Sequence, residues 1–297
     1  MPPVDWRLRY VALALIWGSS FLFIVIGVEV LAALHVALAR VALGTIALSL
    51  ILLIRREQIP RGWMIWGHLA VVGFFYNALP FTLLAYAAER IPSSLSGILN
   101  ATTPIFTLLV AFLVLKEGKN RWQTIGILCG FAGVVVIMAG DLGGLPGTLS
   151  DGYQVGVAFV LGASACYGAA SVYTRRFLTD SGYSTVSLSV GQVACATVQL
   201  GLITPWFTQA PGHLPPRVVL AMLALGALGT GVSYALYYGL IRDAGATMAS
   251  TVTYLFPVVA PVLGVLLYGE ILTWNQVAGG ATIIFGAILT RRSTKML

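Results

Sequence analysis

The segment NATTPIFTLLVAFLVLKE, residues 100–117, has a variant 153 positions later, TYLFPVVAPVLGVLLYGE, residues 253–270. Both are almost wholly apolar, both carry a proline in the first half, and both end in glutamate. The same offset pairs Pro104 with Pro257, Leu113 with Leu266, Gln123 with Gln276, Gly126 with Gly279 and Gly133 with Gly286. Upstream the register drifts slightly, so that Trp17-Gly18 corresponds to Tyr167-Gly168 at an offset of 150. The chain therefore reads as a duplication.

The length and hydropathy of these segments decide what is duplicated. About 20 apolar residues cross a hydrocarbon core of roughly 30 Å. On that measure the sequence predicts membrane helices at 9–29, 31–54, 63–88, 92–115, 121–139, 153–174, 184–206, 216–240, 246–268 and 274–290. Ten helices in two copies give five per copy. Because five is odd, the second copy must enter the membrane in the opposite sense. The expected fold is an all-α polytopic membrane protein: ten transmembrane helices as two inverted five-helix repeats around a central cavity. Residues 1–140 form the first repeat, 141–152 an outer connecting loop and 153–297 the second repeat.

Composition agrees. The 297 residues are 58% hydrophobic and only 9% charged, against about 25% charged in soluble domains. The net charge of +7 does not indicate nucleic-acid binding, because the basic residues sit in short connections between apolar runs. With the N-terminus inside, 14 of the 17 Lys and Arg residues fall on the cytoplasmic side, Arg90 and Arg217 fall outside, and Arg40 lies within a helix. The positive-inside rule then predicts both termini in the cytoplasm. The first apolar run continues past Val25 and is too long for a cleaved signal. Cys129, Cys166 and Cys195 lie within apolar segments and suit neither a disulfide framework nor a zinc site.

Several residues stand out against this apolar background. Proline cannot donate to the carbonyl four residues earlier, so Pro104 releases the carbonyl of Asn100 and Pro257 that of Thr253. In lipid a released carbonyl must find a partner or line a cavity. Ser96, Asn100, Thr103 and Thr107 share one helical face, and Ser250, Tyr254, Pro257 and Pro261 repeat that spacing. The two prolines are candidate hinges. The third and eighth helices supply Tyr76, Asn77, Phe81, Tyr234 and Tyr237. The first and sixth supply Trp17 and Tyr167, both deep in their runs, with Ser171 beside them. These residues are the expected substrate-binding wall. Arg40 is the one charge well inside a helix, and an intramembrane Arg is a functional hypothesis by default. It could bind a substrate carboxylate or bond opened helix carbonyls; its repeat counterpart is the uncharged Gln192.

No phosphate loop, HExxH or GxSxG occurs, and none of the ten carboxylates is central in a helix. These absences argue against an ATPase, a metalloenzyme or an embedded hydrolase. No cofactor, catalytic residue or metal site is expected. The expected partners are a small-molecule substrate and the lipid bilayer, with no nucleic acid; the sequence leaves the oligomeric state open.

With WGSSFLF at residues 17–23, Arg40 in the second helix and twin segments ending in KEG and YGE, the chain resembles the EamA-like branch of the drug/metabolite transporter superfamily over essentially its whole length. That resemblance implies a central cavity between two inverted repeats and export of amino acids or other metabolites across a bacterial inner membrane. The aromatic wall favours aromatic or other apolar amino acids. An uncoupled facilitator is the simplest mechanism, with a proton-coupled efflux carrier as the alternative.

Overall fold

The computed structural model describes residues 5–115, 121–139 and 151–292. Glu117 and residues 141–150 of the expected outer loop at 141–152 lie outside the described residues, and its last two residues begin α8. All described secondary structure is helical. In chain order the elements are α1 (Trp6–Val28), α2 (Ala33–Arg55), α3 (Trp63–Gly73), a π-helical turn (Phe74–Ala78), α4 (Leu79–Ala88), α5 (Ser93–Asn100), α6 (Thr103–Leu115) and α7 (Arg121–Ala139). Then follow α8 (Asp151–Phe177), α9 (Thr185–Phe207), α10 (Pro216–Leu223), a second π-helical stretch (Ala224–Val232), α11 (Ser233–Ala249), a 3-10 turn (Ser250–Leu255), α12 (Phe256–Tyr268) and α13 (Trp274–Arg292).

Nine helical stretches among the described residues are long and apolar enough to cross a membrane. The protein is a multi-pass membrane protein. Large apolar side chains such as Leu15, Ile46, Leu128, Leu202 and Leu266 point outward, which suits lipid and not water. Trp63, Trp206 and Trp274 project from helix ends, where aromatic rings anchor a span at the headgroup level. Helix α13 lies beyond the nine stretches and packs along α7.

Four stretches expected as continuous helices are interrupted. The chain breaks at Ala101–Thr102, where N–H groups bond three residues back, Ala101 to Ile98 and Thr102 to Leu99. Pro104 therefore sits in the first turn of a new helix, where its missing N–H costs nothing. Pro257 occupies the same place in α12, behind the 3-10 turn. In the other two interrupted stretches, π-helical segments replace the regular turn at 74–78 and 224–232, 150 positions apart. Widened turns of this kind insert one residue and rotate the helix face beyond them. Nothing in the hydropathy pattern marks them. Among the described residues, the long Pro216–Ala249 helix pair ends its regular course at Gly245, where φ is 83°.

Packing pairs α2 with α9, α5 with α12 and α7 with α13. The α7–α13 seam is the tightest. A Cβ on Gly126 would stand 2.6 Å from the carbonyl oxygen of Gly286, and one on Gly133 would stand 2.6 Å from that of Gly279. Only glycine permits this backbone approach, the small-residue packing common in membranes. Residue numbers rise along one helix as they fall along the other, so α7 and α13 run antiparallel.

Candidate functional site

Arg40 lies about 10 Å along α2 from its start, at 1.5 Å rise per residue. It is only 7% exposed. Its Nε donates to Thr230 Oγ1 at 3.3 Å, and its guanidinium carbon stands 3.7 Å from the centre of the Phe81 ring. No carboxylate among the described residues pairs with it. Thr230 comes from the second π-helical stretch, and Gly44 and Gly226 let that stretch approach α2: a Cβ on Gly44 would meet Thr230 at 2.8 Å.

Arg40 borders a cavity of about 110 Å³. Of the residues singled out in the sequence, Trp17, Tyr76, Phe81, Asn100, Thr103, Tyr167 and Tyr234 line it together with Arg40. Ser20, Phe21, Thr253 and Phe256 complete much of the wall. Phe256 meets Trp17 edge-to-face at 6.0 Å and Phe21 at 6.1 Å. Tyr76 meets Tyr167 at 5.4 Å. The result is an aromatic chamber with one cation, a few hydroxyls and one amide.

The carbonyls released by the prolines have local partners. Thr103 Oγ1 donates to the carbonyl of Asn100 at 2.8 Å, and the N–H of Phe256 bonds the carbonyl of Thr253.

A second chamber of about 320 Å³ adjoins the first, and Trp17, Tyr76 and Tyr234 border both. These three rings form the partition. Trp17 is fixed there, its Nε1 donating to Ser233 Oγ at 2.9 Å and to the carbonyl of Gly229 at 3.1 Å. Tyr234 is held by Asn77, whose Nδ2 donates to its hydroxyl at 3.0 Å. Ser171, Tyr237 and Gln192 line this second chamber, which extends to Arg175 and Thr179 at the end of α8 and Thr185 at the start of α9. It is a vestibule toward that end of the bundle.

The opposite end is bridged by polar contacts. Glu270 accepts from Ser93 N at 2.9 Å, Ser93 Oγ at 2.7 Å and Ser94 N at 2.9 Å, at the N-terminus of α5. Arg217, Tyr268 and Glu29 join the ends of α10, α12 and α1 beside it.

Some expected residues stand elsewhere. Asn77 is fully buried behind Tyr234. Tyr254 does not border the chamber; its hydroxyl donates to the carbonyl of Ala287 at 3.1 Å. Pro257 and Pro261 face a lateral apolar groove with Ile98 and Val277. The reason is the 3-10 turn at 250–255. At three residues per turn it rotates the face inferred from regular helical spacing, and Thr253 and Phe256 reach the chamber instead. The side chain of Ser250 lies outside the described residues. Sequence reading missed Phe21, Thr253 and Phe256; their neighbourhood to Ser20 and Pro257 was the available signal.

A model of the EamA-like transporter family matches residues 8–139 and again residues 154–292. The chain belongs to that family. It is 30% identical to the "Uncharacterized inner membrane transporter YedA" of Escherichia coli (strain K12) over 280 residues, covering 94% of this chain and 88% of that one. It is 23% identical to the "Uncharacterized transporter YoaV" of Bacillus subtilis (strain 168), covering 96% of each chain. "Protein PagO" of Salmonella typhimurium is 24% identical over 98% of this chain and 94% of its own. A solved crystal structure superposes with a TM-score of 0.67 over 98% of both chains at 20% identity, a likeness of fold. As an EamA-like protein the chain is a membrane transporter, and the aromatic chamber around Arg40 is its candidate substrate site.

Proposed function

We propose that this protein exports small amphipathic carboxylates, aromatic and other apolar amino acids and related metabolites, from bacterial cells by alternating access. The observation that carries this reading is Arg40: a buried guanidinium without a carboxylate partner among the described residues, bordering a chamber walled by aromatic rings. An isolated buried charge is costly. A planar fork suits a carboxylate, and the rings suit an apolar body.

Ten transmembrane helices in two inverted repeats fit the packing. The family model matches each half once. Elements of the halves pair with their counterparts, and counterpart helices α7 and α13 run antiparallel, as opposite membrane senses require. The polar core has the same exchange. Arg40 is flanked by Phe81 and Thr230, while Gln192, Tyr234 and Asn77 occupy the matching positions of the other half. The two sets differ in charge, so the substrate anchor is one-sided.

The Lys and Arg bias makes the vestibule end cytoplasmic, so this conformation corresponds to a substrate approaching from inside against a partition of Trp17, Tyr76 and Tyr234. Rocking of the repeats, with the helix starts at Pro104 and Pro257 as pivots, would open the end held by Glu270. No acidic side chain among the described residues lines the chamber, and His35 and His68 bond Thr208 and Tyr173 near helix ends, which favours an uncoupled facilitator.

The test is counterflow in liposomes containing the purified protein, with a panel of labelled amino acids and related acids and no ion gradient. Exchange of aromatic carboxylates that weakens in Arg40→Ala more than in Arg40→Lys supports the reading. A flat panel, or transport indifferent to both substitutions, overturns it.

A further inference from the structure

The charged side chains that border the chamber, among the described residues, are of one sign only. For a carboxylate it offers Arg40, more than nine-tenths buried, with its guanidinium oriented by Thr230 and backed by the Phe81 ring. For an ammonium it offers no counter-charge: no Asp or Glu borders the chamber among the described residues. The carbonyls that the broken helices release each already accept one bond, from Thr103 Oγ1 and from the N–H of Phe256, and could offer an ammonium only a neutral acceptor. The hydroxyl of Ser20, which donates to the carbonyl of Ile16, is likewise only a neutral acceptor. Bringing a zwitterion here would neutralise Arg40 and set a second cation against rings, hydroxyls and carbonyls with no counter-charge. Bringing a monoanion leaves no charge uncompensated.

Resting on the proposed role of Arg40, we infer that the preferred cargo is an organic monocarboxylate with an apolar planar body and no ammonium group, carried with its full negative charge. Transport is then electrogenic. A cell interior negative by 100 mV drives a monoanion outward with an equilibrium ratio of about 50-fold, from about 2.3 kcal/mol per charge per 100 mV. The membrane potential thereby supplies the direction of export, and no carboxylate for proton coupling is needed in the chamber. The reactions that feed such a carrier are those that remove or replace the amino group of an aromatic or branched amino acid while keeping its carboxylate.

Three labelled probes with a common body isolate the two ends: 3-phenylpropionate, which lacks the ammonium; phenylalanine, which has both; and 2-phenylethylamine, which lacks the carboxylate. Uptake into proteoliposomes at pH 8 is measured with valinomycin and potassium gradients that make the interior positive, zero or negative, with protein-free liposomes subtracted. The expected result is accumulation of 3-phenylpropionate when the interior is positive, approaching 50-fold at 100 mV, and exclusion when it is negative. Phenylalanine should be carried at least 10-fold less well, and 2-phenylethylamine not at all. Arg40→Gln should abolish the accumulation, while Arg40→Lys keeps a measurable part, provided both elute as the wild type does on gel filtration. Phenylalanine carried as well as 3-phenylpropionate, or 3-phenylpropionate uptake blind to the potential, overturns this inference and leaves the carboxylate role of Arg40 intact. Unaltered transport of both acids in Arg40→Gln instead removes the underlying reading of the chamber.

Discussion

Arg40 and Thr230 stand 190 residues apart in the chain, yet Arg40 Nε donates to Thr230 Oγ1 at 3.3 Å in the buried centre of the bundle. The bond ties the charge on α2 to the π-helical stretch of the other half. Thr230→Val keeps the shape and removes the acceptor, leaving a buried charged donor short of a partner, a loss of about 1–3 kcal/mol. Because Thr230 positions the guanidinium, the expected effect is a KM for carboxylate substrates raised about 10-fold, with Thr230→Ser restoring most of it. A variant with normal KM and merely lower thermal stability would leave Thr230 a packing residue.

Tyr234 and Tyr254 are both expected binding residues, but only Tyr234 borders the chamber. Tyr234→Ala opens the partition between chamber and vestibule, and initial transport rates should change at least several-fold. Tyr254→Phe deletes one bond to the Ala287 carbonyl and should leave transport near wild type, at a stability cost of about 1 kcal/mol. Initial-rate assays on both, with protein amounts normalised, make the comparison.

That pair also marks how far the sequence carries. The multi-pass helical fold and the burial of Arg40 were legible because they rest on hydropathy and the cost of a charge in lipid, both local to the chain. Eight of the thirteen expected binding residues border one chamber, since regular helices preserve their faces over a few turns. What escaped was the phase of those faces after an irregular turn. The π-helical segments at 74–78 and 224–232 and the 3-10 turn at 250–255 each rotate everything beyond them. Neighbouring helices pack closely on them, as α2 does on Gly226 and Thr230, and no window of sequence contains such a neighbour. Phe256 at the chamber and Tyr254 outside it follow directly.

The glycine seam yields a stability prediction. Gly126→Ala places a methyl 2.6 Å from the Gly286 carbonyl oxygen, and the backbones of α7 and α13 must part. Overpacking of this kind costs about 1–3 kcal/mol. Gly201→Ala has nothing within 4 Å and should be neutral or slightly stabilising, as alanine suits a helix better by about 1 kcal/mol. Thermal unfolding in detergent should rank Gly126→Ala below the wild type and Gly201→Ala at or above it.

Orientation follows from charge alone and has a direct measurement. Single cysteines at Gly147 and Thr294, in a variant lacking the three native thiols, should label oppositely with an impermeant maleimide in intact cells. Gly147 should react and Thr294 should not until the cells are lysed. Labelling of Thr294 in intact cells would reverse the positive-inside assignment and, with it, the side on which the vestibule opens.

The last prediction concerns the closed end. Glu270 lies beyond α12, yet its carboxylate takes both the first two N–H groups and a hydroxyl of α5, at Ser93 and Ser94. Three forces act in one place: charge-assisted hydrogen bonds, the positive end of a helix and the room left by Gly264, where a Cβ would fall on the carboxylate. The contact joins the second half of the chain to the first at the end opposite the vestibule. Breaking it should therefore favour the conformation open at that end. Glu270→Gln retains the size and some acceptor capacity but loses the charge, and Glu270→Ala loses both, so the effect should grow in that order. With a reporter cysteine at Thr103, on the chamber wall, impermeant reagent added outside should label faster in Glu270→Gln and faster still in Glu270→Ala. Since stabilising one conformation of a carrier slows its cycle, transport should fall in the same order while protein yield holds. Equal labelling in all three proteins would mean that the bond caps a helix and nothing more.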